Sequence, residues 1–418
     1  MLLGGDELRD VFKIFCPFDG SGRLLPEQER RTVLAANANM PVEIFGRALV
    51  MAASAGDGSP LIVQLSHTAL RSVGGSDDTI RPVQRAARLP YSNPLTSGAI
   101  LASSLIDEFT EHYGAQCVAI SLDHFKVPSF QPGLPSRATG RKVARARIDE
   151  ASDAMPSVLR GDARPAKELV EQYVDYLCSE EYAAFKRDFL AVVRAISPAW
   201  GMIDTERLPP LLDFAVTREV SEAVREDLGN TSMMLEAEYG ATGQSGKALP
   251  YAPLLGSDLE RFAEEVAAFV AYTDADGIAY PIGMEHAAKT AESHEPDVRR
   301  LEVVQSRIYH KTGRYVPFAQ HGGTGAARLA KGLVGKNNIN TRFLVVAAAS
   351  FAEWVAAHRE GIMEGEKKSS GTDMYAGAIR RIAEECVAKL EETGAFGESP
   401  DCIAAMTGDP ATTREGKE

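Results

Sequence analysis

The segment CVAISLDHF (residues 117–125) decides the fold. Its first residues are apolar and β-prone, which predicts a short buried strand, and it continues into Asp123 and His124 where the strand should give way to a loop. Two later segments share this design of an apolar run that ends in a histidine: GIAYPIGMEH (277–286), ending in His286, and YVPFAQHGGTG (315–325), whose strand-like part ends at His321. Three histidines therefore lie at three predicted strand ends.

Helical patterns alternate with strand-like runs along most of the chain. This order predicts a parallel sheet whose strand C-terminal ends lie on one side. The eight predicted strands are residues 32–39, 61–66, 117–124, 199–204, 232–240, 276–283, 315–320 and 335–341. Because eight β/α units make a TIM barrel, the predicted fold class is α/β: a TIM (β/α)8 barrel with an insertion after strand three and a C-terminal helical extension.

The domain boundaries follow from where this alternation starts, breaks and stops. Five parts result: an N-terminal arm (1–30), the barrel (31–358), an insertion within it (126–178), a C-terminal helical extension (359–397) and a flexible tail (398–418). The insertion carries five basic and no acidic residues between Arg137 and Arg147. Since it emerges on the strand-end face, we expect an active-site lid whose arginines contact a phosphate. A solvated helix face or an oligomer contact is an equally good interpretation.

Composition narrows the class of protein. The chain has 418 residues and a net charge of −13, which argues against nonspecific binding to nucleic acid or to an anionic membrane. The N-terminus has no uninterrupted apolar run, so no signal peptide is evident. The most apolar helical segment, 343–357, is too short to span a bilayer. Five scattered cysteines without a CxxC motif suit a reducing, cytoplasmic compartment.

Polar residues end every predicted strand. They are Asn37, Asn39, Ser66, Asp123, His124, Asp204, Glu236, Glu238, His286, His321, Asn338 and Asn340. One polar residue at a strand end is expected in any fold, but eight consecutive examples, three with histidine, favour an active site on the C-terminal face of the barrel. Three imidazoles that leave an open position are typical of a catalytic zinc site. We interpret the other five histidines as structural: His67, His112, His294, His310 and His358.

The segment His321-Gly-Gly-Thr-Gly gives a second signal. Consecutive glycines let backbone N–H groups approach an anion, and Thr324 adds a hydroxyl. A bare GGTG is usually a turn, but here it follows strand seven, a common phosphate position in this fold. Asn338 and Thr341, after strand eight, could complete the same pocket.

Taken in order, the motifs resemble the class II, zinc-dependent ketose-bisphosphate aldolases, the fructose-bisphosphate aldolase family. The motifs that carry the resemblance are the segment 37–75, LDH (122–124), WGMID (200–204), EAEYG (236–240), IGMEH (282–286), HGGTG (321–325) and NNINT (337–341). The resemblance covers nearly the whole chain outside the insertion and both ends. It implies reversible cleavage of a ketose phosphate, most simply fructose 1,6-bisphosphate, to dihydroxyacetone phosphate and an aldehyde.

The resemblance also implies roles for individual residues. His124, His286 and His321 would bind zinc, which polarises the donor carbonyl and stabilises the ene-diolate as a Lewis acid. Asp123 would be the acid–base group for the aldehyde oxygen, and Glu238 a catalytic carboxylate near the metal. The implied substrate-binding residues are Asn37, Ser66, Gly322, Gly323, Thr324, Asn338, Asn340, Thr341 and Arg380. Another divalent ion could replace zinc, a monovalent cation is a further candidate, and we expect a homodimer or homotetramer.

The chain departs from the family pattern mainly at the proton-abstracting base. Where the family carries an acidic pair after EAEYG, this chain has Gln244 and Ser245. The replacement candidates are Glu285 and an insertion carboxylate such as Asp149 or Glu150. Two alternatives therefore stay open: a noncatalytic aldolase-like subunit, and a sugar-phosphate-binding protein that keeps the metal.

Overall fold

The computed structural model describes residues 2–75, 93–156, 167–240, 251–284, 293–366 and 372–408. Within these ranges nine parallel strands form one sheet: β1 (Leu2–Leu3), β2 (Val33–Asn37), β3 (Leu61–Ser66), β4 (Val118–Lys126), β5 (Trp200–Asp204), β6 (Met234–Glu238), β7 (Gly277–Ala279), β8 (Phe318–Gln320) and β9 (Val334–Ile339). Strands β2 to β9 pair in sequence, and β9 pairs with β2, which closes an eight-stranded barrel. The predicted TIM barrel is confirmed. The short β1, which pairs with the start of β4, was not predicted.

Helices cover the outside of the barrel. The described ranges contain α1 (Gly5–Ile14), α2 (Val42–Ala53), α3 (His67–Val73), α4 (Pro94–Tyr113), α5 (Arg141–Ala154), α6 (Lys167–Leu177), α7 (Glu180–Ile196), α8 (Pro210–Glu222), α9 (Gly256–Thr273), α10 (Val298–Thr312), α11 (Thr341–Ala357), α12 (Arg359–Met363), α13 (Asp373–Thr393) and α14 (Ser399–Thr407). Among the described helices none is long and apolar enough to cross a membrane.

The barrel strands are buried on both faces, which explains their nearly continuous apolar sequence. In β2, Val33 and Ala35 point inward and pack with Trp200 and Met234, whereas the alternate residues pack outward against the helices. Strands β7 and β8 have only three residues each, fewer than predicted, because proline lacks an N–H group for the ladder. Pro281 follows the end of β7, and Pro317 precedes β8.

Helix α1 closes the N-terminal end of the barrel. Its apolar stripe, Leu8, Val11 and Phe12, is buried, and the ring centroid of Phe12 lies 5.4 Å from that of Trp200 inside the barrel. Helix α14 packs against α1, and its Cys402 is fully buried. This corrects the prediction of a flexible tail from residue 398, because residues 399–407 form a helix that covers apolar surface. The open end of the barrel is therefore the C-terminal end.

The predicted insertion contributes α5 and α6, which lie between β4 and α7. Helix α5 packs against α6 and α8 on the outside of the barrel. Four basic side chains of the insertion form ion pairs: Arg137, which precedes α5, pairs with Glu180, and on α5 Arg141 pairs with Glu171 and Asp175, Arg145 with Glu171, and Arg147 with Glu222 and with Glu150 of the same helix. These ion pairs favour the interpretation of the basic segment as a helix face over its interpretation as a phosphate-binding lid.

Candidate active site

A cavity of about 260 Å³ opens at the C-terminal ends of the barrel strands. Its lining consists of ten residues, all of which the sequence had marked as site residues: Asn37, Ser66, Asp123, His124, His321, Gly322, Thr324, Asn338, Asn340 and Thr341. They come from the ends of β2, β3, β4, β8 and β9 and from the start of α11. The barrel thus brings together residues that are up to 304 positions apart in sequence, from Asn37 to Thr341.

A bulge in β4 places two consecutive side chains in this cavity. Regular alternation would direct Asp123 and His124 to opposite faces of the strand. The register with β5 shifts between Leu122 and Phe125, and His124 adopts a left-handed backbone with φ of 48°. Such strained bulges next to active sites re-aim side chains. Both residues therefore contribute to the cavity, a detail that alternation along the strand could not predict.

Asp123 is held in its ionised form by its neighbours. Its side chain is buried and accepts hydrogen bonds from Asn37 Nδ2 and Gln64 Nε2, each at 2.9 Å, and Oδ1 lies 3.0 Å from Nδ1 of His124. Burial alone would raise the pKa of Asp123, but the His124 imidazole and the hydrogen bonds outweigh it and lower the pKa. Burial would lower the pKa of His124, but the same pair raises it to about 9. Asp123 is thus ionised at neutral pH.

His124 and His321 fit two ligands of one metal ion. Their ring centroids lie 4.8 Å apart. Two imidazoles on one tetrahedral zinc, with Zn–N bonds of ~2.1 Å, have ring centres roughly 5 Å apart. Burial lowers the pKa of His321, which favours the neutral form that binds metals, whereas the raised pKa of His124 means that a metal would displace a proton from that ring.

The predicted third ligand, His286, lies outside the described residues, as do Glu285, Gln244 and Ser245. Within the described ranges no group of three or more His, Cys, Asp or Glu side chains could hold a metal. The metal site therefore stays a prediction that needs His286.

A buried polar network lies beside His321 inside the barrel. Glu236 Oε1 is 3.0 Å from His321 Nε2, and Glu236 Oε2 accepts hydrogen bonds from Lys336 Nζ and Trp200 Nε1, each at 2.7 Å. Burial would raise the pKa of Glu236, but the Lys336 ammonium outweighs it and lowers the pKa to about 2. The sequence prediction included Glu236 as a strand-end residue but missed Lys336 and Trp200. The one available signal was Lys336 within an otherwise buried strand, two positions before Asn338.

The glycine-rich turn after β8 forms the other wall of the cavity. Gly322 has a positive φ of 72°, and a Cβ atom on Gly323 would lie 2.3 Å from Asn337 Oδ1 and 2.7 Å from the Asn338 carbonyl oxygen. Thr324 Oγ1 accepts a hydrogen bond from the Arg342 backbone N–H in the first turn of α11. The cavity therefore lies at the N-terminus of a 17-residue helix, where the helix dipole favours an anion.

Two polar side chains at this wall, Asn338 and Ser66, differ in the hydrogen bonds that they form within the protein. Asn338 is 9% exposed, and among the described residues neither its side-chain nitrogen nor its side-chain oxygen has a hydrogen-bond partner. Ser66 caps α3 by accepting a hydrogen bond from the Ala69 N–H at 3.2 Å, so its hydroxyl has a structural role as well. Because a buried amide without partners costs free energy, Asn338 indicates a ligand in the cavity.

The remaining predicted residues lie elsewhere. Glu238 is buried on β6, two residues after Glu236, and does not line the cavity. Gly323 lies in the glycine-rich turn but does not line the cavity, and Arg380 is exposed on α13. The candidate bases Asp149 and Glu150 are exposed on α5, where Glu150 pairs with Arg147 at 2.9 Å. The histidines interpreted as structural do not line the cavity either, as far as the described residues show.

Comparisons with known proteins bear on the fold and the family of this chain. The sequence profile of the family described as fructose-bisphosphate aldolase class-II matches residues 187–398, about half of the chain. Among solved structures, a fructose-bisphosphate aldolase from Campylobacter jejuni is similar over 94% of this chain and 96% of its own, with a TM-score of 0.59 and 16% identity. The YdjI aldolase from Escherichia coli K12 is similar over 88% of this chain and 94% of its own, with a TM-score of 0.47 and 14% identity.

A curated protein matches a shorter part of the chain. The imidazole glycerol phosphate synthase subunit HisF from Nocardia farcinica (strain IFM 10152) is 32% identical over 94 residues. These residues are 21% of this chain and 37% of that protein, so the chain matches little more than a third of its length. The structural likeness at 16% identity supports the barrel fold alone, whereas the profile match bears on family membership.

Proposed function

The chain belongs to the class II fructose-bisphosphate aldolase family and is a carbon–carbon lyase, and on that premise we propose that it cleaves a ketose bisphosphate with the help of zinc. The simplest substrate is fructose 1,6-bisphosphate, which gives dihydroxyacetone phosphate and an aldehyde. The cavity carries this proposal, because it joins Asp123, His124 and His321 to an anion-binding turn at one end of the barrel.

The glycine-rich turn and the N-terminus of α11 would hold the phosphate of the donor ketone. Gly322 and Thr324 border the cavity from one strand end, and Asn340 and Thr341 border it from the next. Phosphate commonly binds at this position of a TIM barrel, and the dipole of α11 favours an anion there without a charged side chain. The unsatisfied amide of Asn338 would then gain partners from the donor.

Asp123 would move the proton of the substrate hydroxyl. In the cleavage direction the ionised carboxylate accepts this proton as the carbon–carbon bond breaks, and in condensation it returns the proton to the aldehyde oxygen. Asn37 and Gln64 hold the carboxylate in place through their amide N–H groups. Glu238 remains our second proposed catalytic carboxylate.

His124, His286 and His321 would hold the metal. When bound, zinc supplies Lewis-acid polarisation of the donor carbonyl and stabilises negative charge on the ene-diolate. Another divalent ion could serve the same purpose, and a monovalent cation remains a further candidate. Asp123 fixes the His124 ring through Nδ1, which leaves Nε2 as the nitrogen suited to the metal.

Arg380 would contact the second phosphate, and the chain would act as a homodimer or homotetramer in the cytoplasm. Helix α11 supports self-association, because it exposes Leu344, Val345 and Val355 by 40%, 44% and 46%. Arg380→Ala should raise KM for a bisphosphate more than for a monophosphate. Light scattering after size-exclusion chromatography should give at least twice the monomer mass of 45.0 kDa.

One observation favours a second function. The chain has Gln244 and Ser245 where the resemblance implies an acidic pair, so a noncatalytic subunit or sugar-phosphate-binding protein could keep the metal without the base. Aldol cleavage of a panel of ketose mono- and bisphosphates, with and without chelator, separates the two. The enzyme proposal predicts cleavage that chelator abolishes and added zinc restores. Zinc and sugar-phosphate binding without cleavage of any member would support the binding protein instead.

A further inference from the structure

A chain of polar side chains crosses the interior of the barrel and ends at His321. Trp200, Glu236 and Lys336 come from β5, β6 and β9, and all three are fully buried; His321 is 4% exposed. The two oxygens of Glu236 have separate tasks. Oε2 accepts from Lys336 and Trp200 at 2.7 Å each, and Oε1 faces His321 Nε2 at 3.0 Å.

Packing alone does not explain these charges. Burying an ammonium and a carboxylate costs a large desolvation free energy, and apolar residues of similar volume commonly replace such a pair without loss of stability. Apolar residues do fill neighbouring interior positions of this barrel, including Val33, Ala35, Ile62 and Met234. The charged pair therefore occurs where the interior approaches His321.

The chemistry of the carboxylate supplies a reason. An ionised carboxylate accepts hydrogen bonds and donates none, so His321 Nε2 must carry the hydrogen in this contact. The lone pair of the neutral ring then lies on Nδ1. A carboxylate on the distal nitrogen fixes the tautomer and the orientation of a metal-bound histidine and raises its basicity. Lys336 and the Trp200 N–H hold the Glu236 carboxylate through Oε2, which leaves Oε1 to face His321.

We propose that Glu236 and Lys336 are positioning residues for the metal, which act through His321 and set the affinity of the site. Trp200 completes the network and, because its indole N–H shares Glu236 Oε2 with Lys336, it reports on the network by fluorescence. This inference rests on the proposed function, since it assigns His321 to a metal. Neither Glu236 nor Lys336 lines the cavity, so neither is expected to touch the substrate.

The test compares zinc affinity in variants that break the network in different ways. The chain has two tryptophans, so Trp354→Phe leaves Trp200 as the single fluorophore and serves as the background. The first variant, Glu236→Gln, keeps the shape but removes the charge. The second, Glu236→Leu with Lys336→Met, removes both charges and leaves no unpaired ion that could prevent folding. Glu265→Gln is the matched control, because Glu265 is a buried glutamate on α9 that contacts Tyr239 at 3.5 Å and is remote from His321 in the fold.

Zinc affinity is measured by competition with a chromophoric chelator, and folding by thermal unfolding. The expected loss of affinity is about 10- to 100-fold in the double variant and smaller in Glu236→Gln, whose amide oxygen can still accept from His321. Zinc should change Trp200 fluorescence in the background protein and in Glu265→Gln but not in the folded double variant.

A folded double variant with the zinc affinity of the background protein would overturn the inference, since the network would then only fill the barrel. That result would leave the proposed metal site intact. A background protein that binds no zinc would overturn both this inference and the proposed metal site. The two failures are therefore distinguishable.

Discussion

The two ends of the barrel hold cavities that differ in size and in chemistry. The cavity at the N-terminal end is larger, about 610 Å³ against 260 Å³, and is bordered by α1 and by the loops that precede β6, β7 and β8. Its arginines and aspartates form ion pairs with one another. Asp276 accepts from Arg225 at 2.9 Å, from Arg9 at 3.4 Å and from the Leu235 N–H at 3.0 Å, and Arg314 pairs with Asp274.

At the C-terminal end the polar groups are arranged for a ligand. The part of the chain that the structure describes offers no hydrogen-bond partner for the side-chain amide of Asn338, and the glycine-rich turn exposes backbone to the cavity. The larger cavity is therefore a place where ion pairs hold the fold together, and the smaller one is the candidate active site. This agrees with the general division of TIM barrels between a stability face and a catalytic face.

The largest expected effect comes from removing a metal ligand at the C-terminal end. His321→Ala should abolish zinc uptake and aldol cleavage while the barrel stays folded, because His321 lies at a strand end. Metal analysis and thermal unfolding check both halves of this prediction. Full activity after chelator treatment would show that the metal is assigned to the wrong residues.

Two buried aspartates, one at each end of the barrel, should differ in what their removal changes. Asp123→Ala should keep the metal but lower kcat by a factor on the order of 10²–10⁴, the usual contribution of a positioned acid–base group. Steady-state kinetics and zinc content measure it. If metal is lost together with activity, the support that Asp123 gives to the ligand His124 outweighs its acid–base role.

Asp276→Ala should show the opposite pattern. Its carboxylate is 7% exposed and compensates three arginines, so its removal should lower the free energy of unfolding by about 3 kcal/mol. Because the N-terminal end takes no part in the proposed chemistry, kcat/KM at 25 °C should stay within about twofold of the wild-type value. A specific loss of activity without loss of stability would break the distinction between the two ends.

How far the sequence predicts this molecule differs between these two ends. All ten lining residues of the C-terminal cavity were predicted, because in a parallel barrel every strand end reaches the same face and polar residues there stand out from apolar strands. The N-terminal ion pairs were not predicted. One of them joins Arg9 to Asp276, 267 positions away, and no periodic pattern connects the two residues.

Within the site, the missed features depend on register and interior packing. Both Asp123 and His124 enter the cavity because β4 bulges against β5, which is a property of the paired strands and not of either sequence. Lys336 reads as a surface residue until its partner Glu236, 100 positions earlier, is placed opposite it inside the barrel. Residues 399–407 of the predicted tail form α14, because their apolar side chains pack against α1.

The smallest expected effect concerns Asp213, a fully buried aspartate on α8 that belongs to neither end. Burial raises its pKa well above the usual value, against hydrogen bonds from Thr205 and Thr217 that lower it. The folded state therefore binds more protons than the unfolded state above pH ~3.9, and stability from this group falls as pH rises toward the folded-state pKa. Asp213→Asn should unfold at a higher temperature than the wild type at pH 8 and at nearly the same temperature at pH 4. Equal shifts at both pH values would contradict the raised pKa.

The proposed metal between the histidines at the C-terminal end can be located directly by anomalous X-ray scattering at the zinc edge. Crystals of the protein grown with zinc should show a strong peak within bonding distance of His124 and His321, with His286 as the third ligand. A zinc peak among the charged residues of the N-terminal cavity, or no peak beside His124 and His321, would contradict the account.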